Sequence, residues 1–554
     1  MKKLLAILLT LAMLLGALPL TGMAEAPAAD GPATFTHDGR VTLIDGATVD
    51  TPVTDFDAAS AVVDGVLDQL GGDERTVLDP WRVLTDANGN HYYVFQQMCN
   101  NTTVLGGAVK VITDPSGHML ALTSSIVNDL PEADEAEPIS AEQAEQIVLD
   151  RYMQEEQKAL TVVEGATDRI ILPLILEIDM EEEEEAGSRY VWVVYTDNPD
   201  AAEARSADLP WLAHYVTMAG EYLYSLPTMQ PGDEAGATGF DASYVFDFME
   251  PVNYTGTVAL STGDEMEISI DLMRDARTGV YYLGNLERRI VVADFYETVY
   301  NHNMTLVSST TNDDWDSLAL LSLYNYSRAW DYYNEIGWVG GDGRGTPMMI
   351  LKGFCASDQT PVDNAAYAGA AYAGWEMFLA SDVNDFSQCL DVLGHEFTHC
   401  VTGNVMTYAP YLNDYGAINE AMSDIQGNLC EMLMGATEDD TWLIAENSKA
   451  SGIRSMSDPH AYKQPEYTWD IYYVTNVKSP TSINDLGGVH GNSSLLAKVA
   501  WQLCAEGGMS LEDARAFWFA ADCAMVPGTD YAQLSELMPV ILRAQELDQC
   551  NQSS

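Results

Sequence analysis

Two histidines and a glutamate in this chain have the spacing of a metal-binding pair with a base between them. They are His395, Glu396 and His399, in the pattern His-Glu-x-x-His. In a helix, residues four apart share a face, so both imidazoles could bind one zinc ion, and Glu396 would be placed to act as a base. A second helix carrying Glu420 could add a carboxylate as the third ligand. The alternative interpretation is a surface helix with two unrelated histidines.

The segments that follow could position further polar side chains beside these residues. Residues 416–424 have the pattern of a helix start, and Glu420 and Asp424 lie four positions apart on one face of it. Farther along, Asp485 and His490 flank a Gly-Gly turn ahead of an apolar helical pattern. Functional residues are often carried on loops of this kind. The surroundings therefore favour a catalytic site over a chance occurrence of the motif.

The composition indicates a folded protein of several domains. The chain has 554 residues, too many for one hydrophobic core, and 47% of them are hydrophobic and 20% charged, which is typical of folded protein. The formal net charge of −59 repels nucleic acid and anionic membrane surfaces, so we expect neither as a partner. High solubility and calcium binding are compatible with such an acidic chain.

The N-terminus has the features of a secretory signal peptide. Two lysines precede an apolar run over Leu4–Leu20, and a small-x-small pattern places the cleavage after Ala24, which gives a signal peptide over 1–24. No cysteine follows the run, which argues against a lipoprotein anchor, and no later segment is apolar enough to span a bilayer. We therefore expect a secreted, extracellular product without a membrane anchor. The eight cysteines include no CxxC pair, and their pairing stays open.

Strand and helix patterns divide the rest of the chain into four regions. A Gly- and Pro-rich stretch over 227–239 is the best linker and separates the first two regions from the last two. The regions and their predicted elements are 25–130 (strands over 92–97, 106–112 and 120–125), 131–230 (a helix over 139–157 and strands over 170–178, 190–195, 213–218 and 222–226), 240–365 (strands over 257–260, 266–272, 280–283 and 348–351 and a helix over 316–336) and 366–554 (mainly helical from residue 381).

Five short strings along the chain resemble the thermolysin family of zinc metallopeptidases, and they occur in the family's order. Metzincins fit worse, because they require a glycine and a third histidine where Thr402 and Val405 stand, and the GxMEN motif of the gluzincin aminopeptidases is absent. Upstream, FQQ…LGGAVKVITDPSGHMLAL is similar to the fungalysin/thermolysin propeptide module, and ISAEQAEQIVLDRY…AHYVTMAGEYLYS is similar to a PepSY-type module. The five strings are DNAAY (363–367), DVLGHEFTHCVT (391–402), YGAINEAMSDI (415–425), RSMSDP (454–459) and GGVHGNSS (487–494).

The resemblance implies a zinc site with a general base. His395, His399 and Glu420 would bind zinc and leave a fourth position open for water, as catalytic rather than structural sites do. Glu396 would take the proton of that water as it attacks the peptide carbonyl, and would deliver it to the leaving nitrogen. Asp424 would accept a hydrogen bond from the outer nitrogen of a zinc-binding histidine and so fix its tautomer.

The resemblance also implies the groups around the substrate. His490 and Tyr411 would donate hydrogen bonds to the oxyanion, and Asp485 would orient His490. The run from His399 to Tyr411 is one residue longer than is usual in the family, so the loop before Tyr411 is altered. Asn364 and the Ala365 carbonyl would hold the substrate backbone as an added strand, and Arg454 would hydrogen-bond a substrate carbonyl. Val392, Ile444 and Ile453 would line an apolar pocket for a bulky hydrophobic residue on the prime side.

Four carboxylates match, in part, the calcium ligands of the family: Asp391, Glu431, Asp440 and Glu446. Leu443 stands where a further carboxylate is expected, so the resemblance implies one calcium ion rather than a full two-ion site. The alternative interpretation is an ordinary acidic helix end.

Taken together, these features predict an α+β zincin-type catalytic domain with a β-rich N-terminal lobe and a helical C-terminal lobe, preceded by α+β propeptide modules. We expect a monomeric secreted zinc endopeptidase that acts on proteins or peptides. It would be made as a zymogen whose propeptide serves as folding aid and inhibitor until cleavage near 227–240. The alternative is a noncatalytic exported binding protein that retains the fold, against which the joint presence of Glu396, Tyr411 and His490 argues.

Overall fold

The computed structural model describes most of the chain, and the signal sequence predicted over 1–24 lies outside it, as do Asn364 and Asp440. Among the described helices, none has both the length and the apolarity needed to cross a membrane. The six cysteines with described side chains, from Cys99 to Cys523, are free thiols. The described residues are 32–37, 39–132, 138–155, 157–163, 165–173, 187–197, 211–228, 245–294, 305–352, 365–367, 376–380, 385–406, 411–435, 442–477, 480 and 484–551.

The strands before residue 230 form one ten-stranded sheet with helices packed against it. The elements are β1 (Ala33–His37), β2 (Arg40–Asp45), α1 (Phe56–Asp64), α2 (Leu67–Leu70), β3 (Val77–Thr85), β4 (His91–Cys99), β5 (Thr102–Thr113), β6 (Met119–Ser124), α3 (Ala141–Glu155), β7 (Asp168–Pro173), β8 (Ser188–Asp197), β9 (Trp211–Thr217) and β10 (Tyr222–Thr228). The strand order is β1-β2-β6-β5-β7-β8-β9-β10, with β4 also paired to β5 and β3 to β4. A parallel contact between β5 and β7 joins the two predicted modules.

In the N-terminal part of this sheet, successive side chains of β4 point into two different apolar cores. Tyr93 and Phe95 of β4 pack with α1 in a core that belongs to the N-terminal region alone. Tyr92 and Val94 of the same strand belong to the large core that contains the C-terminal helices. The alternation follows from strand geometry, because neighbouring side chains project to opposite faces. This part of the sheet is therefore covered on its second face by the helical end of the chain.

The second half of the chain is first β-rich and then helical. The elements are β11 (Met249–Ala259), β12 (Glu265–Asp275), β13 (Tyr281–Tyr282), β14 (Gly284–Asn285), β15 (Ile290–Asp294), β16 (Thr305–Leu306), β17 (Ser308–Ser309), α4 (Ser317–Asn334), β18 (Met348–Lys352), β19 (Ala365–Tyr367), β20 (Glu376–Ala380), α5 (Leu390–Val405), α6 (Asn413–Met434), β21 (Leu443–Ile444), β22 (Arg454–Ser455), α7 (Asp485–Asn492), α8 (Ser494–Ala505), α9 (Leu511–Ala524) and α10 (Tyr531–Asn551). The larger sheets have the orders β11-β12-β13-β17 and β14-β15-β18-β20-β19, and β16 pairs with β15.

Most elements predicted from periodicity are confirmed within a few residues, among them α4, α6 and the β5–β6 hairpin. The pattern does not predict β3, because Pro80 and Arg82 interrupt its alternation where the strand has a bulge. The strand predicted over 170–178 is β7, which ends at Pro173; residues 174–178 lie outside the described part.

Candidate active site

Two crossing helices hold the predicted metal ligands. α5 carries His395 and His399, and α6 carries Glu420. The helices approach each other closely at Gly427, where a Cβ atom would lie 2.3 Å from the Asp391 carbonyl oxygen and 2.8 Å from the His395 backbone nitrogen. A larger residue at this crossing would push the helices apart. Glycine therefore lets the carboxylate of one helix reach the histidines of the other.

The three predicted ligand side chains converge on one point. His395 Nε2 and His399 Nε2 are 2.9 Å apart. The Glu420 oxygens lie 3.2 Å from His399 Nε2 and 3.4 Å from His395 Nε2. All three residues are buried, and a ligand atom of each lies within 4.8 Å of the others. One ion bound at about 2.0–2.2 Å from each atom would fit between them.

Hydrogen bonds on the outer ring nitrogens assign the histidine tautomers. His395 Nδ1 lies 2.8 Å from Asp424 Oδ1, and His399 Nδ1 lies 2.7 Å from Asn419 Oδ1. Because both partners accept, each ring carries its proton on Nδ1, and each Nε2 presents a lone pair. Among the described residues, none donates a hydrogen bond to Glu420 Oε2. Two lone pairs and a buried carboxylate repel one another unless a cation lies between them, so these residues fit a metal ion of the zinc type.

Glu396 lies beside this point and is oriented by backbone. The N–H of Tyr367 on β19 donates to Glu396 Oε2 over 2.9 Å, and the Tyr367 hydroxyl donates to the buried Glu376 over 2.6 Å. Burial raises the pKa of Glu396 above its usual value, although His395 and His399 act in the opposite direction. A carboxylate with a raised pKa is suited to taking up and returning a proton.

A turn of unusual backbone conformation directs His490 toward the same point. Leu486–Gly488 have φ between 49° and 91° at the start of α7, a region that non-glycine residues seldom adopt. Asp485 Oδ1 accepts from His490 Nδ1 over 2.6 Å, which leaves His490 Nε2 at 3.5 Å from Glu420 Oε2. Burial opposes protonation of His490, but Glu420 and Asp485 outweigh it and raise its pKa to about 9. The ring is therefore held as a hydrogen-bond donor.

Tyr411 and Arg454 reach the site by different routes. The Tyr411 hydroxyl donates to Glu420 Oε1, while the loop before it, residues 407–410, lies outside the described part. Arg454 donates from Nε and Nη2 to the two oxygens of Asp424 over 2.8 and 2.6 Å. Burial opposes ionisation of Asp424, but Arg454 and His395 outweigh it and lower its pKa. One carboxylate thus connects the predicted substrate-binding arginine to a predicted zinc ligand.

A second group of carboxylates lies near the start of α5. Asp391, Glu431 and Glu446 have oxygen atoms within 4.8 Å of one another. Asp391 is fully buried, and no described hydrogen-bond donor reaches its Oδ1. Burial and the nearby Glu431 raise the pKa of Asp391 well above its usual value. Three carboxylates so close together fit a hard cation with oxygen ligands. Asp440, the fourth predicted ligand, lies outside the described residues.

Sequence reasoning does not find two contacts of this site. Asn419 accepts from His399, and the backbone of Tyr367 donates to Glu396. The first has a local signal, because a metal-binding imidazole needs an acceptor on its outer nitrogen and Asn419 is the polar neighbour of Glu420. The second has no side-chain signal, since a backbone N–H donates whatever the residue.

Comparison with known proteins gives three family profiles that match the chain. Residues 255–403 match "Thermolysin metallopeptidase, catalytic domain" and residues 409–552 match "Thermolysin metallopeptidase, alpha-helical domain". Residues 80–126 match the "Fungalysin/Thermolysin Propeptide Motif". The first two matches meet between α5 and α6, so the predicted zinc ligands are divided between them.

Among similar curated proteins, a zinc metalloproteinase of Renibacterium salmoninarum is 30% identical over 38% of this chain and 40% of its own length. A bacillolysin of Bacillus amyloliquefaciens is 30% identical over 46% of this chain and 47% of its own length. A thermolysin of Alicyclobacillus acidocaldarius is 27% identical over 80% of this chain and 75% of its own length. The chain thus spans less than half the length of the first two relatives and three quarters of the third.

Proposed function

Because this chain belongs to the thermolysin family of zinc metallopeptidases, we propose that it is a secreted zinc-dependent endopeptidase made as a zymogen. One observation carries the proposal. The Nε2 atoms of His395 and His399 face the Glu420 carboxylate in a buried place, with Glu396 beside them. A buried cluster of this kind needs a cation, and a carboxylate base next to a metal site is the arrangement for metal-assisted hydrolysis.

The proposed reaction divides the chemistry between the metal and the chain. Zinc bound by His395, His399 and Glu420 would act as a Lewis acid and make water a stronger nucleophile. Glu396 takes the proton of the attacking water on a carboxylate oxygen and passes it to the leaving nitrogen. The Tyr367 N–H supports this role, because it fixes one oxygen of Glu396 and leaves the other for water.

The developing oxyanion needs donors that are already in place. His490 is held by Asp485 and lies on the Glu420 side of the site, and the Tyr411 hydroxyl reaches Glu420. We propose that both donate to the oxyanion of the scissile carbonyl. Asp485 acts on the substrate only through His490, and Asp424 acts only through His395.

Substrate backbone is proposed to add to β19. Among the described strands, β19 is at the edge of its sheet, and Ala365 is its first residue. An edge strand offers unpaired backbone groups to an extended peptide; Asn364 would add a side-chain contact. Val392 and Ile453 would favour a bulky hydrophobic residue on the prime side. Ile444, predicted with them, stays part of this proposal, and its side chain is fully buried in the core.

Calcium and the zymogen form complete the proposal. Asp391, Glu431 and Glu446 would bind one calcium ion, with Asp440 as a further ligand. Residues 25–130 and 131–230 would form the propeptide, with the signal peptide over 1–24 and cleavage near 227–240. The profile match at 80–126 and the packing of the N-terminal sheet on the C-terminal helices support this arrangement.

Chelation tests the proposed metal dependence. The matured protein should hydrolyse casein, lose this activity when a zinc chelator is added, and regain it when zinc is added back. A noncatalytic binding protein would show no zinc-dependent hydrolysis at any stage. Hydrolysis that persists after zinc has been removed, as measured by metal analysis, would contradict the mechanism.

A further inference from the structure

The C-terminal ends of two helices in the second half of the chain lack cations of their own. α5, which carries the predicted zinc ligands, ends at Val405, and α9 ends at Ala524; neither has a basic residue in its last turn. The last carbonyls of a helix have no partner within the helix, and the negative end of its dipole lies there. Buried carbonyls of this kind need donors from elsewhere.

One face of the N-terminal sheet supplies such donors. Lys110 of β5 is fully buried, and its Nζ donates to the carbonyls of Val405 over 2.9 Å and of Cys523 over 2.8 Å. Thr123, its cross-strand partner on β6, donates from Oγ1 to the Ala524 carbonyl over 2.8 Å. One pair of neighbouring residues therefore contacts the ends of both helices.

Arg82 of β3 adds a second cation at the end of α5. Its Nη1 donates to the Asn404 carbonyl over 2.7 Å and its Nη2 to the Asp342 carbonyl over 3.2 Å, and its guanidinium lies 5.3 Å from the Trp338 ring centre. Burial lowers the pKa of Arg82 to about 10 and that of Lys110 to about 8. Both groups therefore stay protonated at neutral pH, as a cap at the negative end of a helix dipole requires.

We propose that Arg82, Lys110 and Thr123 cap the C-terminal ends of α5 and α9 from outside and thereby hold the last turn of the helix that carries the predicted zinc ligands. They act as positioning residues, because their hydrogen bonds lie at the far end of α5 from Asp391 and go to backbone carbonyls, while Arg82 also lies against the Trp338 ring. The capping itself does not depend on the proposed function. Only its consequence for maturation rests on the proposed propeptide role. These caps would be present in the precursor and absent from an enzyme that has released its N-terminal region.

Amide hydrogen exchange of the full chain tests the caps one at a time. The Glu396→Gln background prevents self-cleavage, so every variant keeps its N-terminal region. Arg82→Met should speed amide exchange in the last turn of α5 but not in that of α9, and Thr123→Val should do the reverse. Lys110→Met should speed exchange in both. Where a buried carbonyl loses a charged donor, the exchange rate should rise by about tenfold or more. Arg151→Met is the matched control, because Arg151 is exposed and pairs with Glu155 on its own helix.

The pattern of the changes decides the inference. Equal acceleration of both helix ends by Arg82→Met and by Thr123→Val would overturn it, as would unchanged exchange in Lys110→Met. If Lys110→Met does not fold, the other two variants still decide, because each removes donors from one helix only. None of these measurements needs peptidase activity. A wild-type protein without zinc-dependent hydrolysis, together with this exchange pattern in the Glu396→Gln background, would therefore refute the proposed function and leave the caps standing.

Discussion

At the scale of single residues, Asp424 is held by partners on two sides beside the predicted zinc site. Its oxygens accept from His395 Nδ1 and from two nitrogens of Arg454, and the carboxylate is buried. A carboxylate on the outer nitrogen of a metal-binding histidine fixes the ring and raises its basicity. Asp424 therefore connects zinc affinity to the placement of an arginine predicted to bind substrate.

Asp424→Asn should weaken zinc binding by a factor of about 10–100 while the protein stays folded. The amide keeps the size of the side chain but lowers its power as an acceptor and leaves Arg454 without a charged partner. Competition with a fluorescent zinc chelator measures the affinity. Asp513→Asn, in the exposed first turn of α9, serves as control, and equal affinity in both variants would refute the role of Asp424.

The burial of His214 predicts that the N-terminal region loses stability in acid. The ring is fully buried, with Nε2 2.8 Å from Thr196 Oγ1 and Nδ1 3.1 Å from Tyr222 Oη. Burial lowers its pKa to about 3, against an ordinary value of about 6.5. Below about pH 6.5 the unfolded chain therefore takes up a proton that the folded chain refuses until about pH 3, so stability falls as the pH is lowered through this range.

The measurement for His214 is urea unfolding of the full precursor at pH 7 and pH 4.5. The free energy of unfolding should fall by about 2–3 kcal/mol more in the wild type than in His214→Gln, which has no proton to take up. The same pH dependence in both proteins would show that His214 is not the group responsible.

At the scale of elements, the crossing of α5 and α6 places both predicted metal sites. Gly427 sets the distance between the helices. The zinc ligands lie toward one end of the crossing, and Asp391 and Glu431 lie toward the other. An ion at the acidic cluster would therefore hold together the same two helices that supply the zinc ligands.

Removal of calcium should lower the melting temperature without removing zinc. An ion bound only by the folded state at 100 times its Kd adds about 2.7 kcal/mol to stability, which for a chain of this size corresponds to roughly 2–4 °C. Calorimetry with and without a calcium-selective chelator measures the shift. Glu431→Gln removes one of the buried carboxylates, so its melting temperature should be the same with and without the chelator. If the chelator still lowers the melting temperature of this variant, the calcium ion binds elsewhere.

At the scale of the whole molecule, local patterns predict the site better than they predict its surroundings. The His-Glu-x-x-His helix and the helix of Glu420 are confirmed because helix periodicity depends on neighbouring residues. The contact of Lys110 with helix ends nearly 300 and more than 400 residues away has no such signal. A lysine in an apolar strand is expected to face water, and only the docking of the sheet on the C-terminal helices shows that it is buried.

The contact between Arg454 and Asp424 is another tertiary contact that local sequence patterns do not predict. The two residues are 30 positions apart in different elements, so neither spacing nor propensity joins them, and the resemblance suggested a substrate role for Arg454 instead. The sequence could predict which residues surround the metal, because their types are chemically restricted. Apart from the pairs that the resemblance implied, Asp424 with a zinc-binding histidine and Asp485 with His490, it could not predict which of them hold one another in place, because that depends on tertiary packing.

The most direct test of the central claim is kcat/KM for peptide hydrolysis by Glu396→Gln and wild type at equal measured zinc content. The amide cannot take the proton of the attacking water, so kcat/KM should fall by a factor of about 10²–10⁴ or more while zinc remains bound. Glu512→Gln, in the first turn of α9, should match the wild type. Wild-type hydrolysis by the zinc-loaded Glu396→Gln variant would contradict the assignment of Glu396 as the base.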